Sequence, residues 1–546
     1  MAFTATAVWE VRTAGDDVNH GGGFDRGVAG FPTDGAATVA TGNSPVFTSA
    51  SYTFVAGDVG AWVYIKSGTN WTPGWYLISS VNAGAATLNA AVGAAVLDSV
   101  TPNTVAGCAS TASPTGGTWG LDYSQQDAGQ IVFSDMVIGT AGNETKFTST
   151  LNPVGKNFVG NIINITARPG FTVQRVAIVS TSTVTATCDK ALGTAESTGG
   201  VGELGGALAS PGQASVLHVG GNKIRVLYNA AVYAVAYNTE RDGGVVVIKA
   251  PPERSNPTSI EGYTTVRGDR TASKPVLQLA AGVSTATIVT LPNSSSWCCN
   301  IILDGNSQTA SRAGFTSGGY GPLWLLCDAL NCTNGGFKNG LAIQCTSTGH
   351  TSSAYGGFDT LVAMFCEAFD GAGRGFTTCR CVGCISHGNS TGFADYGSVN
   401  NTYESCIAHG NVAEGWDLQS SYGGACINCI SEGNGTFGWR GDAVTNFRLI
   451  NCAGWNNTSG NGNGNFILPL GFIAGVIGSF FTNAAAGDFS LNNTAGCGAL
   501  LRATGFPALF PRGLTANYRD IGAAQHADPA GGSGGGMPVL GGSVVR

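Results

Sequence analysis

The chain has 546 residues, 84 of them glycine, with 11% charged residues and a formal net charge of −7. A hydrophobic fraction of 43% excludes a disordered chain, and the shortage of charge together with the abundance of Gly and small residues favours strands and turns over long charged helices. No Lys/Arg block interleaves with aromatics, so the sequence lacks the electrostatic footprint that a nucleic-acid partner requires.

The first residues, MAFTATAVWEVRT, show neither the basic n-region nor the apolar h-region of a secretory leader, so the expected route out of a cell is lysis or a dedicated machine. Residues 8–25, VWEVRTAGDDVNHGGGFD, read as a short strand followed by a Gly/Asp/Asn turn.

A duplication follows. FTSASYTFVAGDVGAWVYI from Phe47 aligns without a gap to FTSTLNPVGKNFVGNIINI from Phe147, and the register runs through Ile78/Ile178 and Thr87/Thr187 to Gly93/Gly193, with 13 identities in 47 positions. Each copy alternates apolar and polar residues between Gly, Asn and Pro turns, the pattern of half-buried strands. Two related β modules, or two equivalent excursions from one β scaffold, are expected. Small-residue stretches near 107–117 and 192–215 mark their boundaries. The expected division is a first module over 1–106, its second copy over 107–215, a solenoid over 216–500, and a closing segment with a flexible Gly-rich tail over 501–546.

Eleven of the 16 cysteines fall between Cys327 and Cys452. CISHGN at Cys384, CIAHGN at Cys406, CISEGN at Cys429 and CAGWNN at Cys452 repeat one phrase at steps of 22, 23 and 23 residues. An aromatic follows each cysteine: Phe337, Phe358, Phe376, Phe393, Trp416 and Trp439 pair with Cys327, Cys345, Cys366, Cys384, Cys406 and Cys429. Steps of 18 to 23 residues suit one turn of a strand solenoid, in which each coil stacks on the last at about 4.8 Å. A position that meets itself above and below favours self-stacking side chains: an interior Cys ladder, an aromatic stack, and Asn389, Asn411, Asn434 and Asn457 bonding from coil to coil.

On these residues, 320–460 resembles a right-handed parallel β-helix of the pectate-lyase-like type found in enzymes and in many phage tailspikes. Residues 8–25, 257–269 (PTSIEGYTTVRGD) and 517–525 (NYRDIGAAQ) are similar to opening, coil and closing phrases of such proteins, and GDVGAWVYI resembles a segment of phage appendage proteins. The fold expected is therefore all-β, a right-handed parallel β-helix (solenoid) with duplicated small β modules at the N-terminus.

Chemistry is less legible. The CxxC pairs Cys381/Cys384 and Cys426/Cys429 lie about two coils apart, roughly 10 Å, too far for one zinc ion, so a structural ladder is favoured, with scattered disulfides second. Adjacent Cys298/Cys299 read as small buried residues. No metal site and no cofactor are expected. Three residues after each ladder cysteine stand Phe369, His387, His409, Glu432 and Trp455; His387, His409 and Glu432 would share one face, either as a glycan or acid–base site or as a polar column before a turn. Carboxylate candidates for glycoside hydrolysis are Glu432, Asp417, Asp395 and Asp442, beside a groove lined by Trp416 and Trp439; the alternative makes them surface acids next to core aromatics. Lyase chemistry, as the resemblance implies it, needs clustered Asp with Ca²⁺ and a basic residue, and Arg374, Arg380, Arg440 and Arg448 show no matching acidic cluster in the sequence.

The functional expectation is a structural virion appendage of a phage, whether tailspike, tail fibre or capsid fibre, contacting host surface glycans. The alternatives are a polysaccharide depolymerase (hydrolase or lyase) on the same scaffold and a cellular surface adhesin. The resemblance implies a homotrimer, attached to other virion proteins through the N-terminal modules and released outside the host by lysis. The apolar run 466–481, shorter than a membrane span and broken by Pro469, Gly471, Gly475 and Gly478, reads as a buried strand or subunit contact, and no membrane partner is expected.

Overall fold

The structure, a computed structural model, describes residues 7–15, 22–24, 31–38, 46–71, 73–88, 113–124, 131–151, 158–166, 168–182, 184–235, 244–251, 256–264, 267, 269–271, 273–283, 287–292, 295–316, 322–352, 354–396, 401–419, 423–441, 447–463, 467–473, 476–502, 504 and 520–523. It divides into one compact unit of 1–280 with 289–302 and a second of 281–288 with 303–546. The chain is all-β, with long parallel sheets in the arrangement of a right-handed parallel β-helix. Among the described residues the one α-helix is Pro211–Leu217, started by Ser210, whose side chain accepts from the Gln213 amide.

In the first unit, Ala7–Val11 pairs in parallel with Lys223–Leu227, which pairs with Thr258–Tyr263 and that in turn with Ser296–Cys299. The solenoid therefore begins at residue 7, and the two modules are excursions between its first and second strands. The first module is a six-stranded antiparallel sheet and the second a closed six-stranded barrel. They keep one register. Phe47 faces Ala86 as Phe147 faces Ala186, and the irregularity between Ile78 and Ser80 recurs between Ile178 and Ser180.

Two expected boundaries shift for this reason. Thr115–Asp122 lies beyond residue 106 yet pairs with Trp62–Thr69 of the first module, and residues 7–11 belong to the solenoid expected to start at 216.

Buried charge joins these parts. Arg267 donates from Nε to Glu10 at 3.0 Å, from Nη1 to Asp122 at 2.7 Å and from Nη2 to Ser124 at 2.6 Å. Burial pushes the Glu10 carboxyl up and the guanidinium opposes that shift.

The second unit is built from coils of three short strands. A coil such as 380–395 runs through Arg380–Val382 in the first sheet, Ile385–His387 in the second and Thr391–Asp395 in the third, each paired in parallel with its counterparts one coil away. The corner between the first and second sheets takes a single left-handed residue immediately before the ladder cysteine: Gln344, Phe365, Ser405, Asn428 and Asn451 have φ between 52° and 56°. The amides of Gln344, Phe365, Ser405 and Asn428 are satisfied by the next coil, as where Phe365 donates to the Val382 carbonyl at 2.8 Å and Ser405 to Ile427 at 2.8 Å. Phenylalanine and glutamine are poor left-handed residues, so stacking holds them there.

Three ladders fill the interior. Cys327, Cys345, Cys366, Cys384, Cys406, Cys429 and Cys452 are buried, and Cys429 Sγ lies 3.4 Å from the carbonyl oxygens of Tyr403 and Ile427. Burial pushes the thiols of Cys345 and Cys452 well above their ordinary value, which suits packing and opposes thiolate chemistry. The aromatic stack is nearly parallel, with centroids 4.8 Å apart for Phe358/Phe376, 4.9 Å for Phe376/Phe393 and for Phe393/Trp416, and 5.1 Å for Trp416/Trp439. At the second corner the Asn column bonds from coil to coil.

Candidate functional site

The outward column of the second sheet comes together in the register its spacing predicts: Phe369, His387, His409, Glu432 and Trp455 are successive partners. The C-terminal segment covers it. Glu432 accepts from Ser479 Oγ at 2.6 Å and from the Phe480 amide at 3.0 Å. His387 stacks on Phe369 with centroids 5.3 Å apart, its Nε2 is 2.9 Å from Glu367 Oε1, and Phe489 packs on its ring. Phe481 and Phe489 meet His409 edge-on. These three side chains face the chain's own strap, a correction to the expectation that His387 and His409 bind glycan and that Glu432 does acid–base work.

The groove expected at Trp416 and Trp439 is also corrected. Both indoles are fully buried in the aromatic stack because strand alternation sends them inward, and Asp395 on the neighbouring strand is fully buried too. Asp442 lies outside the described residues. Of the apolar run, Phe480 and Phe481 are buried, Phe472 meets the edge of Trp439 and Ile477 is exposed, while Phe466, Ala474 and Gly475 lie outside the described residues.

The outer face of the third sheet gathers what the sequence kept apart. The residue after each stacked aromatic points away from the stack, giving the column Lys338, Asp359, Thr377, Ala394, Asp417 and Arg440. Arg440 bridges two carboxylates, with Nη1 3.1 Å from Glu414 Oε1 and Nε 3.9 Å from Asp417 Oδ1. Asp417 also accepts from the Tyr396 hydroxyl and, at 3.0 Å, from Gln419 Nε2. The Arg374 guanidinium sits over the Tyr396 ring, 4.2 Å from its centroid. Burial and then the Asp417 hydrogen bond push the Tyr396 phenol up, which keeps it a proton donor to that carboxylate.

A second cluster lies nearer the N-terminus on the same face. Arg312 and Lys338 each stand 4.8 Å from the Tyr355 centroid, and Asp359 Oδ2 is 3.1 Å from Lys338 Nζ and 3.9 Å from Arg312 Nη1. Burial lowers the Arg312 pKa, with only partial compensation from Asp359. Among the described residues, four cations, Arg312, Lys338, Arg374 and Arg440, stand with three carboxylates, Asp359, Glu414 and Asp417, along this face. Tyr396 and Arg440 carry the exposure, at 39% of the residue and 41% of the side chain.

Arg440 thus acquires the acidic partners it lacked in sequence and Arg374 an aromatic one, Tyr396, whereas Arg380 and Arg448 are exposed on the first sheet. Sequence reasoning passed over Glu414, Tyr396, Lys338, Asp359, Arg312 and Tyr355. The signal that finds most of the column is the position one residue after each stacked aromatic.

No family model and no curated protein matches the sequence. Among solved structures, the chain is similar to the A-module of the mannuronan C-5 epimerase AlgE4 of Azotobacter vinelandii (15% identity, 42% of this chain and 68% of that one, TM-score 0.33). It is also similar to pectate lyase Pel9A (13%, 58% and 91%, TM-score 0.41) and to the catalytic domain of a GH87 α-1,3-glucanase in complex with nigerose (8%, 62% and 89%, TM-score 0.24). The fold assignment rests on the strand pairing itself.

Proposed function

We propose that this chain acts at polysaccharide, with the outer face of the third sheet as its glycan site, and that it does so as a virion appendage of the phage tailspike, tail fibre or capsid fibre kind. One observation carries the glycan reading: the exposed Tyr396 ring, clamped by Arg374 and bonded to Asp417, beside the Arg440 bridge to Glu414. Sugars are recognised by aromatic faces flanked by bidentate donors and acceptors, and this face supplies both on rigid strands. The appendage reading is supported by the duplicated modules set into the solenoid and by the sequence phrases shared with such proteins. It includes a homotrimer attached to other virion proteins through the modules and released outside the host by lysis.

The test is binding of the purified chain to capsular and lipopolysaccharide preparations, with sedimentation to fix the oligomer. Arg374→Ala with Arg440→Ala is expected to lower binding at least tenfold with the fold intact. Unchanged binding in that variant would remove this face as the site.

A depolymerase reading is favoured by one further feature, two carboxylates, Glu414 and Asp417, held on one face by a shared cation. It predicts new reducing ends or unsaturated uronate products from the same preparations, lost in Glu414→Gln and Asp417→Asn. Binding without product in the native chain leaves a contact role alone.

A further inference from the structure

The outer face of the second sheet changes character along its length. Its other outward column begins with Asp328, Thr346 and Glu367 and then turns to Ile385, Ile407, Ile430 and Ala453. The apolar stretch is where the C-terminal segment lies: Phe480, Phe481, Phe489, Leu491, Leu501 and Ile521 form one cluster with Ile407, Ile430 and Ala453. That strap is a short hairpin, Phe481–Asn483 with Asp488–Leu491, followed by a return at 520–523 in which the Gly522 amide donates to the Asn428 carbonyl at 2.8 Å. It therefore rests on side-chain packing and a few bonds and is not laddered into the coils, a class of element that opens before the core does.

Three titratable residues, one strand apart, lie beneath it. Glu432 is the polar anchor, taking both strap donors; His409 is next, with its ring against Phe481 and Phe489; His387 follows, its Nε2 turned to Glu367. Among the described residues the strap brings Phe481 and Phe489 to the two imidazoles; of its carboxylates, Asp488 in the hairpin is exposed and Asp520 is buried on the return. Protonated His409 would thus be a cation between two phenyl rings, with His387 as its neighbour in the column.

We propose that the C-terminal strap is an acid-released cover, with His409 as the group whose protonation undocks it from the second sheet. Burial first, and His387 second, pull the His409 pKa down to about 4. The docked state therefore favours the neutral ring: docking is at full strength above about pH 6.5, the value of a free imidazole, and weakens as the pH falls toward the lowered value. Glu432 opposes this. Burial pushes its carboxyl up, so the docked state takes up a proton there and the anchor weakens as pH rises through that raised value. Release exposes the Ile385, Ile407 and Ile430 column together with the phenyl rings.

Hydrogen exchange of the full chain, corrected for the intrinsic pH dependence of amide exchange, tests the idea. Between pH 7 and pH 4.5, protection of 479–491 is expected to fall at least about tenfold, the two pH units of His409 linkage between about 6.5 and 4.5 less what Glu432 offsets, while the stacked strands of the third sheet keep theirs. His409→Gln should flatten that response, and Glu432→Gln should steepen it. His409→Phe, which keeps a ring against Phe481 and Phe489, serves if His409→Gln does not fold. The same pH response in a His409 variant would overturn the proposal, as would simultaneous loss of protection in strap and coils.

Discussion

Asn411 donates from Nδ2 to Asn434 Oδ1 at 2.9 Å while its own Oδ1 accepts the Asn389 backbone amide at 3.1 Å. Both side chains are buried, so each links its coil to a neighbour with no competition from water. Asn411→Ala leaves the Asn389 amide buried without its acceptor, and the expected cost is about 1–3 kcal/mol in a denaturant titration. Asn411→Ser, smaller and still polar, should lose most of that stability as well, because its hydroxyl is too short to span the coils. A change within error of zero for Asn411→Ala would mean that water completes the ladder.

Much of this architecture is legible in the sequence because a solenoid presents one environment many times. Cys, Asn and the aromatics repeat wherever a side chain meets its own copy above and below, and Cys384, Asn389 and Phe393 mark three inward positions of one coil. The offset of 100 residues between Phe47 and Phe147 likewise carries strand pairing directly, down to the irregularity after Ile78 and Ile178. What fails is direction and cover. Trp416 reads as a groove aromatic until alternation places it inside, and His387 reads as exposed until residues 479–491, distant in sequence, close over it. The face around Tyr396 and Arg440 was hidden for a related reason. Its members, from Arg374 to Arg440, belong to successive coils and have no common motif, since outward positions are not held alike by stacking.

Trp416 separates an interior role from a binding role. With its ring between Phe393 and Trp439 and no exposure, Trp416→Ala is expected to cost about 3–5 kcal/mol, while Trp416→Phe restores most of the stack. Glycan binding by Trp416→Phe should match the native chain, whereas Arg374→Ala with Arg440→Ala reduces it. Binding lost in Trp416→Phe at unchanged thermal midpoint would restore the groove.

The buried ion cluster of the first unit makes a sharper stability prediction. Arg267 holds both Glu10 and Asp122, each fully buried. Arg267→Met leaves Asp122 without this cation and Glu10 with Arg12, whose Nε is 3.5 Å from Oε1, and should destabilise by about 3–5 kcal/mol, or force proton uptake at neutral pH. The triple variant with Glu10→Gln and Asp122→Asn should recover a large part of that loss, since neither buried carboxylate is left to be charged. Thermal unfolding of the four proteins decides it; no recovery in the triple variant would show that packing of the guanidinium stem, and not charge balance, is what Arg267 provides.

An equivalent aspartate in each module predicts acid sensitivity of the duplicated pair. Asp34 accepts from Ser49 Oγ at 2.9 Å and from the Ser51 amide at 2.6 Å; Asp135 accepts from Ser149 Oγ at 2.6 Å and from the amides of Thr150 and Leu151 at 2.7 and 3.0 Å. In both, partial burial raises the carboxyl's pKa, but the donors outweigh it and the net effect is a carboxylate held below its ordinary value. A carboxylate depressed in the folded state contributes stability that is complete above the unfolded value near 3.8 and is lost as pH falls through the folded one. Asp34→Asn and Asp135→Asn should therefore lower the thermal midpoint at pH 7, and the gap from the native chain should narrow as the pH approaches 3. An equal gap at both pH values would show that the asparagine variants suffer from altered turn geometry and that the proton linkage is absent.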